Sequence, residues 1–189
     1  MDNRANILHC ALELFASRGY DAVGVQEIVE WAGITKPTLY HYFGSKLGLL
    51  KALLHTYQEP FNQTVQAACD YHGNLPGTLE GLAHVYFHFA QENPVYYRMQ
   101  LAQNFAPKNS EARLAIADLN EAQHQMVEDL FAAAAVHDHG NMRGRQRLYA
   151  ATFIGMVNTC IGLWLNGYTE LDDDLLRRVV HQFQHGIYS

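Results

Sequence analysis

The chain has 189 residues, 49% of them apolar and 17% charged, with a net charge of −6. It is long enough to bury a substantial core, as one large domain or as a small domain joined to a larger one. Five prolines, few alternating β-branched runs and no internal repeat point to an all-α fold, and three widely spaced cysteines (Cys10, Cys69 and Cys160) exclude a disulfide framework and read as free thiols.

The first predicted helix runs from Asn3 to about Arg18, with Ile7, Ala11, Leu14 and Phe15 on one face and Gly19 as a left-handed stop. This N-terminus has acidic and polar residues among its apolar ones. It lacks the basic start and continuous apolar block of a secretory signal, so a cytoplasmic protein is expected. A second helix from about Val25 to Ala32 turns Ile28, Val29 and Ala32 inward and ends at Gly33.

Thr35 then falls where an N-cap belongs, its hydroxyl placed to accept from the backbone N–H of Thr38. Ile34 and Leu39 occupy the two places of a hydrophobic staple, and Pro37 lies in the first turn, where its missing N–H costs nothing. The third helix therefore starts at Lys36. At about 100° per residue Leu39 and Phe43 share one side, while Pro37, Thr38 and His41 face away, flanked by Tyr40 and Tyr42. Two short helices joined through Ala-Gly-Ile-Thr form a helix-turn-helix, whose second helix enters the major groove of DNA. Lys36 and Thr38 can donate to base edges or phosphate, and Pro37 offers an apolar surface for a thymine methyl. Tyr40, Tyr42 and Lys46 can donate to phosphate oxygens.

Net charge alone argues against such a partner, but its distribution does not. Residues 1–57 carry five basic and five acidic side chains, and residues 58–189 carry the whole excess of negative charge. A phosphate-binding surface must lie in the first part and depend on geometry more than on bulk charge.

From Ile7 to Leu54, and most specifically in Gly19-Tyr20, Ala32-Gly33, Thr38-Leu39-Tyr40 and Phe43 with Lys46, the chain resembles the DNA-binding domain of tetracycline-repressor-type (TetR family) bacterial regulators. The resemblance implies a three-helix DNA-binding domain over residues 1–46 and a helical effector-binding and dimerisation domain over 47–189. It implies a repressor that binds a palindromic double-stranded operator as a homodimer and is released by a small-molecule effector. It also implies base contacts from Gln26, Lys36 and Pro37 and backbone contacts from Thr38, Tyr40, His41, Tyr42 and Lys46, with Thr35 at the start of the same helix. Four positions depart from the family pattern. Gly24 and Val25 stand where a threonine pair is common, leaving only backbone N–H groups to meet phosphate there; Pro37 replaces a commoner glycine and Gly48 a commoner alanine.

Ser45 can cap a fourth helix that starts at Lys46 and carries Leu50, Leu53, Leu54, Tyr57 and Phe61 at helical spacing. Pro60 should kink it and is a candidate joint for transmitting effector binding. Further helices are expected near 76–91, 95–105, 110–136, 145–168 and 172–187, separated by Asn93-Pro94, Pro107-Lys108 and the segment HDHGNMRG. Their aromatic and methionine content favours an apolar or aromatic effector, with Tyr86, Phe89, Tyr97, Phe105, Met126, Phe153 and Met156 as candidate ligand-binding residues.

Leu148 to Thr169 carries no charged residue and is long enough to span a bilayer. Asn158, Asn166, Thr152 and Thr159 would place polar groups in lipid, so a helix buried between other helices is expected and no membrane partner. Ala151, Gly155, Thr159 and Gly162 would let another helix approach closely, and with Val179 and Phe183 of the last helix they form the candidate dimer interface.

Eleven histidines raise an alternative, a helical enzyme or metal sensor using the aromatic interior. His84 and His88, and His181 and His185, each put two imidazoles on one helical face, but no carboxylate completes a metalloprotease pattern. His137-Asp138-His139 reads as loop, and Arg143, Arg145 and Arg147 as a solvated basic cluster. No phosphate-cradling loop, nucleophile elbow or paired-carboxylate pattern is present, so no cofactor, no metal and no enzymatic activity are expected.

Overall fold

In the computed structural model, which describes residues 2–137 and 142–185, every regular element among the described residues is helical. The order is α1 (Asn3–Arg18), α2 (Val25–Ala32), α3 (Lys36–Phe43), α4 (Lys46–Ala68), α5 (Leu75–Glu92), α6 (Pro94–Asn104), α7 (Glu111–His137), α8 (Gln146–Leu165) and α9 (Asp173–His185). The bounds of the first two helices and the start of the third fall where expected. The ends of the last predicted helix (186–187) and the pair Asp138-His139 lie outside the described residues.

Contacts divide the chain into two compact units. One comprises the residues up to Pro60 together with Val95–Leu119, the other Phe61–Pro94 together with the residues from Asn120 onward. The division falls at Pro60, inside α4, which continues through the proline as helix.

The first unit is built on a fully buried apolar set: Ile7, Ala11 and Leu14 of α1, Ile28 of α2, Leu39 of α3, and Leu49, Leu50 and Leu53 of α4. Burying each Ile or Leu of this set stabilises the fold by about 1.5–3 kcal/mol. The Asn6 amide donates to the Ala32 carbonyl at 2.8 Å and ties α1 to the end of α2. Val95–Leu119 joins this unit through two bonds between residues far apart in sequence. The Tyr20 hydroxyl donates to Glu111 Oε2 at 2.8 Å, and the Tyr96 hydroxyl donates to Gln58 Oε1 at 2.9 Å.

In the second unit α5 packs against α8 and α9. Phe61 stacks on Phe89, with ring centroids 4.0 Å apart, and meets Tyr86 edge-on at 5.1 Å. The Gln91 amide donates to the Leu171 carbonyl at 2.9 Å, fastening the end of α5 to the segment before α9.

α8 corrects one expectation. It is 20 residues long with a mean hydropathy of 1.5, long and apolar enough to cross a membrane by length and composition. Only one side of it is covered: Ala150, Phe153, Ile154, Val157 and Ile161 are buried, whereas Leu148 is 64% exposed and Ala151, Thr152, Gly155 and Thr159 are also exposed. A helix closed in by neighbours all round was expected; within this chain its small-residue row is open.

All three thiols are buried and free. Burial raises the pKa of each, and at Cys69, where the Asp129 charge adds to the effect, it is pushed up to about 12. A raised thiol pKa means little thiolate at neutral pH, so an aromatic disulfide reagent at pH 8 should label the native protein very slowly and all three sites rapidly in denaturant. Fast labelling of a cysteine in the folded protein would contradict this burial.

Candidate nucleic-acid interface

The interface is a local product of three glycine-bounded turns. α1 ends at Gly19, whose φ is positive at 80° but whose ψ of 151° is extended, so the stop is not the left-handed helical one expected. α2 ends at Gly33 in the left-handed region (φ 65°, ψ 34°), with the Ile34 N–H returning to the Val29 carbonyl at 2.9 Å. A β-carbon would strain both conformations.

Thr35 takes the N-cap place with extended backbone, yet its side chain makes no capping bond to the backbone. Its hydroxyl lies 2.9 Å from that of Thr38 instead, each satisfying the other at the helix start. Leu39 is fully buried and Phe43 half-buried, with the Arg4 guanidinium 5.6 Å from the Phe43 ring centroid. Lys36, Pro37, Tyr40, His41 and Tyr42 are exposed and Thr38 is half-buried. The inward residues thus hold α3 on edge, and the side left open carries one cation, hydroxyl donors and an imidazole. Such a row can donate to base edges and phosphates from within a major groove.

Two predicted contacts are placed differently. Gln26 is exposed on α2, but its amide donates to Glu30 Oε1 at 2.5 Å, a bond it must exchange to reach a base. Lys46 is half-buried, and its ammonium donates to the carbonyls of Tyr20 at 3.1 Å and Val23 at 3.0 Å while lying 4.1 Å from the Tyr20 ring centroid. At most one of its three N–H groups is left for phosphate. The sequence reading missed this role, and no local signal announces it: the partners lie 23 and 26 residues away.

The departures at 24 and 48 acquire physical content. Gly24 precedes α2 with nothing within 4 Å of the place a β-carbon would take, so its N-terminal N–H groups stand without side-chain cover. At Gly48 a β-carbon would lie 1.9 Å from the Phe43 carbonyl oxygen, while its N–H donates to Ser45 Oγ at 2.9 Å. Alanine, common there in the family, does not fit this corner.

The sequence of residues 7–53 matches the family described as bacterial regulatory proteins, tetR family. The chain belongs to the TetR family. It is a DNA-binding transcriptional regulator. Over 186 residues, 98% of this chain and 82% of the relative, it is 28% identical to the transcriptional activator FasR of Mycolicibacterium smegmatis. Over 136 residues, 67% of this chain and 64% of the relative, it is 32% identical to the transcriptional repressor KstR2 of Mycobacterium tuberculosis. In fold it resembles FadR from Bacillus subtilis in complex with stearoyl-CoA, with a TM-score of 0.78 at 18% identity, covering 97% of this chain and 99% of that one.

The seven candidate effector residues of this TetR regulator are divided between the two units. Tyr86 and Phe153 are buried and Phe89 half-buried in the second unit, whereas Tyr97 is buried in the first. Phe105 follows α6 and is 90% exposed. Met126 lines a cleft of ≈ 460 Å³ with Cys69, Asp70 and Asp129, and Met156 a separate one of ≈ 430 Å³ with Cys160, Leu175 and Val179.

Of the six dimer candidates, Ala151, Gly155 and Thr159 are exposed along one row of α8, and Gly162 is half-buried. Val179 is buried within this chain, and the half-buried Phe183 ring packs on Phe131, Tyr149 and Phe153 at 5.3–6.3 Å between centroids. They serve the unit's own core. Of the histidine pairs, His84 and His88 lie 6.1 Å apart and His181 and His185 4.5 Å apart, and no group of three metal-ligating side chains forms among the described residues.

Replacing Lys46 with Met should remove two charged hydrogen bonds, each worth about 1.5–3 kcal/mol, and lower the melting temperature. The slope of log affinity against log salt should change by less than the value of about one expected when a phosphate contact is lost. An unaltered melting temperature with a slope reduced by one would make Lys46 a phosphate ligand rather than a brace.

Proposed function

We propose that this TetR regulator is a cytoplasmic repressor that binds a palindromic operator as a homodimer and is released by a small apolar or aromatic effector. Residues 1–46 read the DNA, and 47–189 bind effector and second copy. The observation that carries the reading is α3: Leu39 and Phe43 turned in, and Lys36, Pro37, Tyr40, His41 and Tyr42 turned out, directly after the glycine turn that closes α2. Major-groove entry by that face, with α2 across the backbone, needs no rearrangement of the side chains that hold it.

An apolar effector is supported by the aromatic interior, Phe61, Tyr86 and Phe89 above all, and by the fold shared with a FadR that holds stearoyl-CoA. Repression rather than activation follows the commoner behaviour of the family, and the relatives include both kinds. Pro60, at the division between the compact units, is the proposed joint.

The double variant Lys36→Ala/Tyr40→Ala should lose roughly a hundredfold in operator affinity, at about 1–3 kcal/mol per contact, with its helical circular dichroism unaltered. Footprinting upstream of the gene checks this, and full protection by the variant refutes the reading. Two-fold symmetry predicts protected half-sites about one helical turn, roughly 34 Å, apart.

The open row on α8 is the proposed face for the second copy. Gly155→Glu places a charge there with open space around its β-carbon, so folding should persist while sedimentation shifts from dimer to monomer. A dimer that tolerates the charge would move the interface elsewhere.

A further inference from the structure

α6 is amphipathic in an unusual sense. Positions 96, 100 and 103 fall within about 60° of one another around the helix, and all three are buried: Tyr96 is 0%, Gln100 5% and Gln103 4% exposed. Arg98 and Ala102, on the other side, are exposed. The centre of the inward face is therefore a line of polar groups. At its first position the Tyr96 hydroxyl donates to Gln58 Oε1, and its ring stacks on Tyr57 with centroids 4.7 Å apart.

Further along, the polar atoms are orphaned. Gln100 Oε1 and both Oε1 and Nε2 of Gln103 are buried without a hydrogen-bond partner. Rotating the Gln103 amide exchanges donor for acceptor and leaves both ends unmet. Elsewhere this chain pairs its buried amides: Gln123 Nε2 donates to Asn62 Oδ1 at 3.0 Å, and Gln58 accepts from Tyr96. Unsatisfied buried polar atoms are few in folded proteins, and three within one helical turn call for a missing partner.

We propose that Gln100 and Gln103 form the polar end of the effector site and take an uncharged group that both donates and accepts hydrogen bonds, a hydroxyl or a primary carboxamide. The inference rests on the reading of the chain as an effector-responsive regulator, and it specifies the effector's chemistry. The orphan set offers one donor group and two acceptors. A carboxylate or phosphate would set its oxygens against two amide oxygens, and Arg98 of the same helix lies on its exposed side. A hydroxyl or carboxamide answers donors and acceptors together. The stacked Tyr57 and Tyr96 rings at the start of the same line suit the apolar body to which such a group is attached.

The test uses the full-length protein with octanamide, 1-octanol and octanoate as probes of equal chain length. Octanamide and octanol should raise the melting temperature and bind at least about tenfold tighter than octanoate, the difference one well-matched polar contact makes. Gln103→Met, which keeps the side-chain length and removes the orphan amide, should raise the melting temperature without ligand, weaken octanamide about tenfold and leave operator affinity unchanged. Gln100→Met should move both readouts in the same directions and stands in if the first variant folds poorly.

The inference is overturned if octanoate binds as well as the amide, if neither neutral probe binds, or if both variants melt below the parent. Failure of the parent chain to bind its operator would instead remove the regulator reading itself, so the two failures are distinguishable.

Discussion

A single ammonium group fixes the geometry on which DNA reading depends. Lys46 stands at the start of α4, yet it donates to two carbonyls of the turn between α1 and α2 and lies on the face of Tyr20. It thereby joins the two ends of the helix-turn-helix: the turn that launches α2, and the Gly44-Ser45 corner that ends α3 and starts α4. The Tyr20 hydroxyl then extends the link to Glu111. Burial, with a smaller effect from Glu111, raises the Tyr20 pKa, so the phenol remains a proton donor throughout the physiological range. The DNA-reading helices and Val95–Leu119 belong to one compact unit, and these bonds link them. A change in the conformation of α6 or the start of α7 therefore acts on elements already fastened to the headpiece.

The sequence exposed what is determined locally. Helix ends at Arg18 and Ala32 and the start at Lys46 follow from glycine and cap chemistry within a few residues, and the inward placement of Leu39 and Phe43 from a 100° step. Ser45 caps α4 as its position suggests. The same reasoning failed where a polar atom had two possible partners. The Thr35 hydroxyl chose Thr38 Oγ1 over the backbone, and the Lys46 ammonium chose carbonyls more than 20 residues away over solvent. Val179 and Phe183 have the spacing of an interface face, but spacing does not tell which of two apolar rows meets Phe131 and Phe153. The effector residues were the least legible: aromatic content marks a helical interior without saying which rings share a cavity.

A headpiece with no net positive charge also restricts how DNA can be held. Counterion release scales with the number of phosphates neutralised, and few cations here are free to neutralise any. Arg18 is paired with Glu27, Arg4 lies at the Phe43 ring and Lys46 is turned inward, which leaves Lys36 as the cation on the open side of α3. In the proposed mode binding rests largely on neutral donors, among them Tyr40, Tyr42 and the uncovered N–H groups at Gly24, all of which are directional. Directional donors reward correct register more than they reward proximity. The balance should tilt towards specificity, with a shallow dependence on salt.

Two features leave stability unused, and they have a common explanation. Buried amides without partners on α6 each carry a desolvation cost of about 1–3 kcal/mol, and α8 presents a glycine-containing apolar row to solvent. Selection for stability alone would favour Met or Leu at the first and charged residues at the second. Cα hydrogens and small side chains on α8 allow another helix to come close; amides on α6 allow a polar group to be received without rearrangement. In the proposed reading each is a surface for something that arrives separately, a second copy or an effector, whose preferential binding to one conformation shifts the balance between conformations.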